Sequence, residues 1–154
     1  MASASSFAIR PAEPADSAVV TALVRAAYAH YVPRMGREPG PMTDDYAALI
    51  EDGRVHVAGA DGSVQGVLVL LPEADAMLLD NIAVDPARKG AGLGRALLAF
   101  AEQQTREAGY RAIRLYTHVT MTENIALYTR IGYVETHRGE EKGFHRVYMT
   151  KVLA

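Results

Sequence analysis

The residues with the clearest chemical potential are three glycines, Gly90, Gly92 and Gly94, set among Arg88, Lys89 and Arg95. Without a Cβ, such a run bends sharply and lets a ligand approach the backbone itself. Residues 76–84 before it are mostly apolar and close on Asp85-Pro86, where proline ends a strand ladder. After it, Leu93, Leu97, Phe100, Ala101 and Ala108 recur at helical spacing. The pattern predicts a buried strand, a glycine turn and a helix N-terminus, in that order. A helix starting in such a turn directs unpaired N–H groups and its positive dipole end outward, and that combination binds phosphate or pyrophosphate. Glycines also serve plain packing turns, but a phosphate cradle needs this order of elements.

Two familiar phosphate loops do not fit. A P-loop requires Gly, four residues and Gly-Lys-Ser/Thr, which the chain lacks. A dinucleotide fingerprint requires G-x-G-x-x-G, but the sixth position is Arg95 counted from Gly90 and Leu97 counted from Gly92. The next strand, expected at 112–117, also ends without an acid to hold a ribose. What the chain carries is Lys89-Gly-Ala-Gly-Leu-Gly94. This resembles the Arg/Gln-x-x-Gly-x-Gly/Ala loop of the GNAT superfamily of acetyl-CoA-dependent N-acetyltransferases, with Lys89 where that family usually has Arg or Gln. A second resemblance is Glu123-Asn-Ile-Ala-Leu-Tyr-Thr-Arg-Ile-Gly-Tyr133, similar to the family's C-terminal helix with its Leu-Tyr-x-x-x-Gly-Phe/Tyr ending.

The whole-chain totals bound the class. At 154 residues, 49% hydrophobic and 22% charged, the chain suits a single globular domain over 1–154. A net charge of −2 gives no basic footprint for nucleic acid. The absence of cysteine excludes a disulfide framework, a cysteine-ligated metal and a thiol nucleophile. The five histidines, His30, His56, His118, His137 and His145, share no ligand spacing, so no metal is expected. No apolar run reaches membrane-helix length and the first residues do not read as a secretory leader, so a cytoplasmic protein is expected.

Around the glycine loop, the chain reads as a short strand at 7–10 and a helix opened by Pro14-Ala-Asp16 and ended by Pro33, its apolar stripe being Val20, Leu23, Val24, Ala27, Tyr28 and Tyr31. A proline- and glycine-rich connector follows at 31–42, then a short helix capped by Thr43. Segments 55–60 and 64–71 form a hairpin about Asp61-Gly62. Beyond the long helix, Ile113 and Leu115 alternate with Arg114 and Tyr116 across a strand. A helix at 122–131 stops at Gly132, and strands at 134–137 and 145–150 flank a charged loop, 138–143. The order β-α-α-β-β-β-α-β-α-β-β is α/β (α+β): helices around a central mixed, mostly antiparallel sheet, matching the GNAT-like fold that the resemblance implies.

The resemblance also implies roles. The cofactor would be acetyl-CoA, its pyrophosphate held by the backbone of Lys89, Gly90, Ala91, Gly92, Leu93, Gly94 and Arg95. Its pantetheine amides would bond the strand edge at Ile82, Ala83 and Val84, as a further strand would. Tyr128 stands where the family's helix carries the tyrosine that protonates the leaving thiolate; its i, i+3, i+6 spacing with Ile125 and Ile131 equally suits a core position. Asn124 is a cofactor contact or a helix cap. Where many members carry a glutamate base this chain has Tyr116, which leaves Asp80, His118 and Glu123 as candidates. Tyr31, Arg34 and Met35 in the 31–42 connector are the expected acceptor contacts. The expected reaction is direct acetyl transfer to an amine on a small molecule, peptide or protein. The alternative is a non-catalytic acyl-CoA-binding or regulatory module. A homodimer stays open.

Overall fold

The computed structural model describes residues 7–60, 62–88, 90 and 92–153. Their strands are β1 (Ala8–Pro11), β2 (Val55–Ala60), β3 (Ser63–Pro72), β4 (Met77–Val84), β5 (Ala112–His118), β6 (Val134–Glu141) and β7 (Phe144–Val152). Their α-helices are α1 (Ser17–Tyr28), α2 (Val32–Met35), α3 (Tyr46–Glu51), α4 (Leu93–Glu107) and α5 (Thr122–Arg130). Setting aside the four-residue α2 and the 3-10 turns, the order is the expected mixed α/β one.

The chain divides into two compact units, Met1–Leu70 with Asn81–Ala101, and Leu71–Asp80 with Glu102–Ala154. In the first the strands lie β1-β2-β3-β4, and in the second β4-β5-β7-β6, with β4 contributing to both. Pairs β1–β2, β2–β3, β5–β7 and β6–β7 are antiparallel, while β4–β5 is parallel.

In the first unit, Val20, Leu23, Val24 and Tyr28 of α1 are buried, as are Val55 and Val57 of β2 and Val67 and Val69 of β3. Leu93 and Leu97 of α4 approach β3 so closely at Gly66 that a Cβ there would lie 2.9 Å from Leu97 Cδ1 and 3.1 Å from Leu93 Cδ2. That fixes the helix start against the strand. In the second unit, Ile113, Leu115 and Thr117 of β5 are buried with Val147 and Met149 of β7, on the face that the alternation assigned to Ile113 and Leu115. Thr105, fully buried, completes the α4 stripe in place of Ala108, which lies beyond the helix end.

Several expected boundaries move for identifiable reasons. Helix α1 ends at Tyr28 and not at Pro33, which instead sits in the first turn of α2, where its missing N–H costs nothing. Segment 31–42 is accordingly less of a loop than its prolines suggest, since Gly40–Thr43 is another helical turn. Asp45, not Thr43, caps α3, its side chain accepting from Ala48 N–H at 3.1 Å. The expected charged loop at 138–143 is mostly strand. Pairing continues to Glu141↔Phe144, leaving Lys142 and Gly143 as a two-residue turn with φ of 54° and 83°. Both central residues of a type I′ hairpin require that sign.

Candidate functional site

The glycine turn is built from its flanks inward. Asp85 closes β4 by donating its N–H to the Gln65 carbonyl of β3 at 2.8 Å. Its carboxylate accepts from Ala87 N–H at 2.9 Å and its carbonyl from Arg88 N–H at 2.8 Å. This turns the chain through the 3-10 segment Pro86–Arg88. Gly90 and Gly92 both have φ of +86°, and a Cβ at either would meet nothing within 4 Å. The backbone there thus takes a form L side chains resist, with open space where a side chain would stand. Lys89 and Ala91 lie outside the described residues. Helix α4 begins at Leu93, and its first internal bond runs from Ala96 N–H to the Gly92 carbonyl at 3.1 Å. The N–H groups at the start of a fifteen-residue helix therefore follow directly on the open turn. Arg88 and Arg95 are exposed beside it. The arrangement suits an anion that needs backbone donors more than a side-chain grip.

Strand β4 alternates without interruption between buried and half-buried residues. Backbone N–H and C=O groups alternate in the same way between the two strand edges. Because the Asp85 N–H points to β3, the backbone of Ala83 points to β3 as well, and that of Ile82 and Val84 to the other edge. This narrows the expected edge of Ile82, Ala83 and Val84 to the first and last of the three. The Ile82 carbonyl there accepts from the Tyr28 hydroxyl at 3.0 Å. Among the described residues the β4–β5 ladder runs from Met77↔Ile113 to Leu79↔Leu115, whereas β4 continues to Val84 and β5 to His118.

In the second unit, α5 presents Tyr128 buried at 6% exposure, its ring centroid 5.7 Å from that of Tyr133. The Tyr133 hydroxyl is buried and has no hydrogen-bond partner among the described residues. Burial, with the charge of Glu102 and then Tyr128 adding to it, pushes the Tyr133 phenol well above its ordinary pKa. Asn124 is not the cap of α5. Met121 holds that position, and the Asn124 amide lies 3.8 Å from its sulfur.

His118 closes β5. Its Nδ1 lies 2.8 Å from Thr120 Oγ1 and accepts from Thr120 N–H at 3.2 Å. A neutral ring that accepts at Nδ1 carries its proton on Nε2 and is there a donor. Burial, then the neighbouring His145, lowers the His118 pKa, so the neutral form prevails. Tyr116 is covered by the Arg146 guanidinium, 4.1 Å from its ring centroid, and Arg146 pairs with Glu141. Asp80 is half-buried on β4.

Of the expected acceptor contacts, Tyr31 is buried, at 6% exposure, with the His30 ring 3.9 Å and the Arg34 guanidinium 5.2 Å from its centroid. Arg34 is exposed and Met35 half-buried. Asn81 is a further polar residue of this strand, an amide at the β4 core position between Leu79 and Ala83 and only 2% exposed. The break in an otherwise apolar period-2 pattern was the available signal. Among the described residues no group of three His, Cys, Asp or Glu is placed to hold a metal, and no helix is long and apolar enough to cross a membrane.

Residues 20–133 match the model of the acetyltransferase (GNAT) family, a span that runs through both units. The aminoalkylphosphonate N-acetyltransferase of Salmonella typhimurium is 31% identical over 102 residues, which are 61% of this chain and 66% of that protein. The mycothiol acetyltransferase of Nocardia farcinica is 36% identical over 56 residues, covering 36% of this chain and 18% of that protein. The chain thus spans less than two thirds of either relative. The PaiA N-acetyltransferase of Thermoplasma acidophilum, solved in complex with coenzyme A, superposes with a TM-score of 0.79 at 18% identity, over 96% of this chain and 99% of that one. The ribosomal-protein-S18-alanine N-acetyltransferase of Escherichia coli gives 0.76 at 22% identity, over 96% and 94%.

Proposed function

The chain belongs to the acetyltransferase (GNAT) family, and we propose that it moves an acetyl group from acetyl-CoA directly to a primary amine. The observation that carries this reading is the open turn of Gly90 and Gly92 between the end of β4 and the start of α4. It offers backbone donors and a helix N-terminus to the coenzyme pyrophosphate. The edge of Ile82 and Val84 takes the pantetheine arm. With the Ile82 carbonyl engaged by Tyr28, the arm pairs mainly through the Ile82 N–H and the backbone of Val84.

In the reaction, the amine nitrogen attacks the thioester carbonyl carbon, the C–S bond breaks, the thiolate takes a proton, and the nitrogen gives one up as the amide forms. Tyr128 supplies that proton in this reading. A lysine-like amine is mostly protonated at neutral pH and must first lose one proton. Of the expected bases, neutral His118 carries its proton on Nε2 in this arrangement, which leaves Asp80 and Glu123. A relative named for aminoalkylphosphonates makes a small amine with an anionic group the first acceptor to try. A non-catalytic coenzyme-binding module is the competing reading, favoured by Tyr116 beneath Arg146 where many family members carry a glutamate.

The test is thiol release from acetyl-CoA in the presence of 2-aminoethylphosphonate, a polyamine, an aminoglycoside, a free amino acid and a peptide N-terminus. Amine-dependent release supports the transferase. Tight coenzyme binding with no release above the blank for any amine supports the module.

A further inference from the structure

Three side chains from distant parts of the first unit form a buried chain of hydrogen bonds. The hydroxyl of Tyr28, the last residue of α1, lies 2.8 Å from Asn81 Oδ1 and 3.0 Å from the Ile82 carbonyl oxygen, and donates between them. Asn81 Nδ2 donates to the hydroxyl of Tyr46, the first residue of α3, at 2.8 Å. The Tyr46 hydroxyl in turn donates to the Pro41 carbonyl at 2.5 Å. The exposures of Tyr28, Asn81 and Tyr46 are 9%, 2% and 2%. Arg25 braces the same turn, donating to the Met42 carbonyl at 2.8 Å.

An amide at a core position of β4 gains little for stability over a leucine, because its desolvation offsets much of what its bonds return. What it adds is a fixed geometry. Both ends of the chain of bonds are backbone carbonyls, Ile82 on the strand edge and Pro41 in the Gly40–Thr43 turn. A buried network with every member bonded holds such points in a single arrangement.

We propose that Asn81 is a positioning residue: through Tyr28 and Tyr46 it ties the coenzyme-binding edge of β4 to the turn at 40–43, so that occupancy of the edge orders the turn. The proposal rests on the reading of that edge as the pantetheine site. Its consequence for the reaction is that the turn closing the connector with the expected acceptor contacts is held more firmly once the acetyl donor is in place.

Hydrogen–deuterium exchange of the peptide 39–46, with and without coenzyme A, tests it. Saturating coenzyme A should slow exchange of this peptide about five- to tenfold in the wild type, by suppressing local opening. Asn81→Leu removes both amide bonds, and Tyr46→Phe removes only the bond to Pro41 and the Asn81 acceptor. In each, calorimetry should give a coenzyme A Kd within about threefold of wild type, while the slowing at 39–46 is lost. A merely structural amide would change melting temperature without uncoupling the two, and Tyr46→Phe carries the test if Asn81→Leu does not fold. Protection that persists in a folded variant, or is missing from wild type that binds coenzyme A, overturns the proposal. Wild type that does not bind coenzyme A overturns the reading of the edge and this inference with it.

Discussion

Replacing Gly94 separates the electrostatics of the glycine turn from its conformation. Gly92 is the obvious target but a poor one, because at φ +86° any L side chain is strained by roughly 1–2 kcal/mol. Loss of binding there would mix strain with charge. Gly94 lies in the first turn of α4, and a Cβ added to it would meet only Val84 Cγ2, at an ordinary 3.9 Å. Asparagine and aspartate at this position have nearly the same shape. Either should leave stability level or raise it slightly, since glycine is about 0.5–1 kcal/mol worse than alanine within a helix and asparagine and aspartate lie between the two. Aspartate gains about 0.3–1 kcal/mol more from the dipole. For an anion bound at the same helix end the sign reverses. Two unit charges about 5 Å apart at an effective dielectric of about 20 repel by roughly 3 kcal/mol, and salt reduces this. Gly94→Asp should therefore weaken coenzyme A about 10- to 100-fold relative to Gly94→Asn, at about 1.4 kcal/mol per tenfold. Titration calorimetry in low salt and in 0.5 M salt, beside melting curves, reads both quantities. Equal coenzyme A affinity for the two variants, with the helix intact, would refute placement of the pyrophosphate at this helix end.

Tyr128→Phe keeps the ring in the core and removes one hydroxyl. If that hydroxyl is the acid, kcat should fall on the order of 10²-fold with acetyl-CoA affinity unchanged. A loss confined to melting temperature would assign Tyr128 to packing alone. Tyr133→Phe deletes a buried hydroxyl without a partner among the described residues, so differential scanning calorimetry should show stability unchanged or raised by about 1 kcal/mol, and a clear loss would contradict the absence of a partner. His56 is an acid-sensitive group, its pKa lowered by burial and its Nδ1 unpartnered among the described residues, with Phe100 edge-on at 4.9 Å. The unfolded chain takes up that proton first as pH falls, so the stability is fully present above about pH 6.5 and is lost as pH drops through the lowered folded value. His56→Leu should flatten part of the decline in melting temperature between pH 7.5 and 5.5, with His118 keeping the rest. An unaltered profile would exclude His56 from the effect.

What the sequence made legible is mostly what the backbone does. Pro86 marks the end of β4, glycines mark the open turn, and a 3.6-residue period marks α4, because each is a local consequence of residue type. The alternation of β5 is equally local. The β6–β7 hairpin is longer than its pattern predicts because its first strand, Val-Glu-Thr-His-Arg-Gly-Glu-Glu, is exposed along its whole length and has no apolar face to announce it. Its register comes from β7, with the cross-strand Glu141–Arg146 pair lending support. The prolines of 31–42 start helical turns that sequence alone does not reveal, for a related reason. A proline breaks a helix interior but starts a new turn readily, and only the surrounding packing decides which.

Chemistry supplied by side chains at long range was the least legible part, and Asn81 shows why. Its partners lie 53 and 35 positions away, so no window of sequence contains the network. The one local trace was a polar residue at a core position of a strand. Burying an amide costs free energy unless partners wait for it, so that trace already required a donor and an acceptor somewhere in the fold. Tyrosines on the buried stripe of a helix are natural suppliers, since their rings belong in the core while their hydroxyls seek partners. The general reading is that a polar residue interrupting an apolar period should be treated as half of an unwritten contact. Here, completing it joins the proposed coenzyme edge to the turn at 40–43.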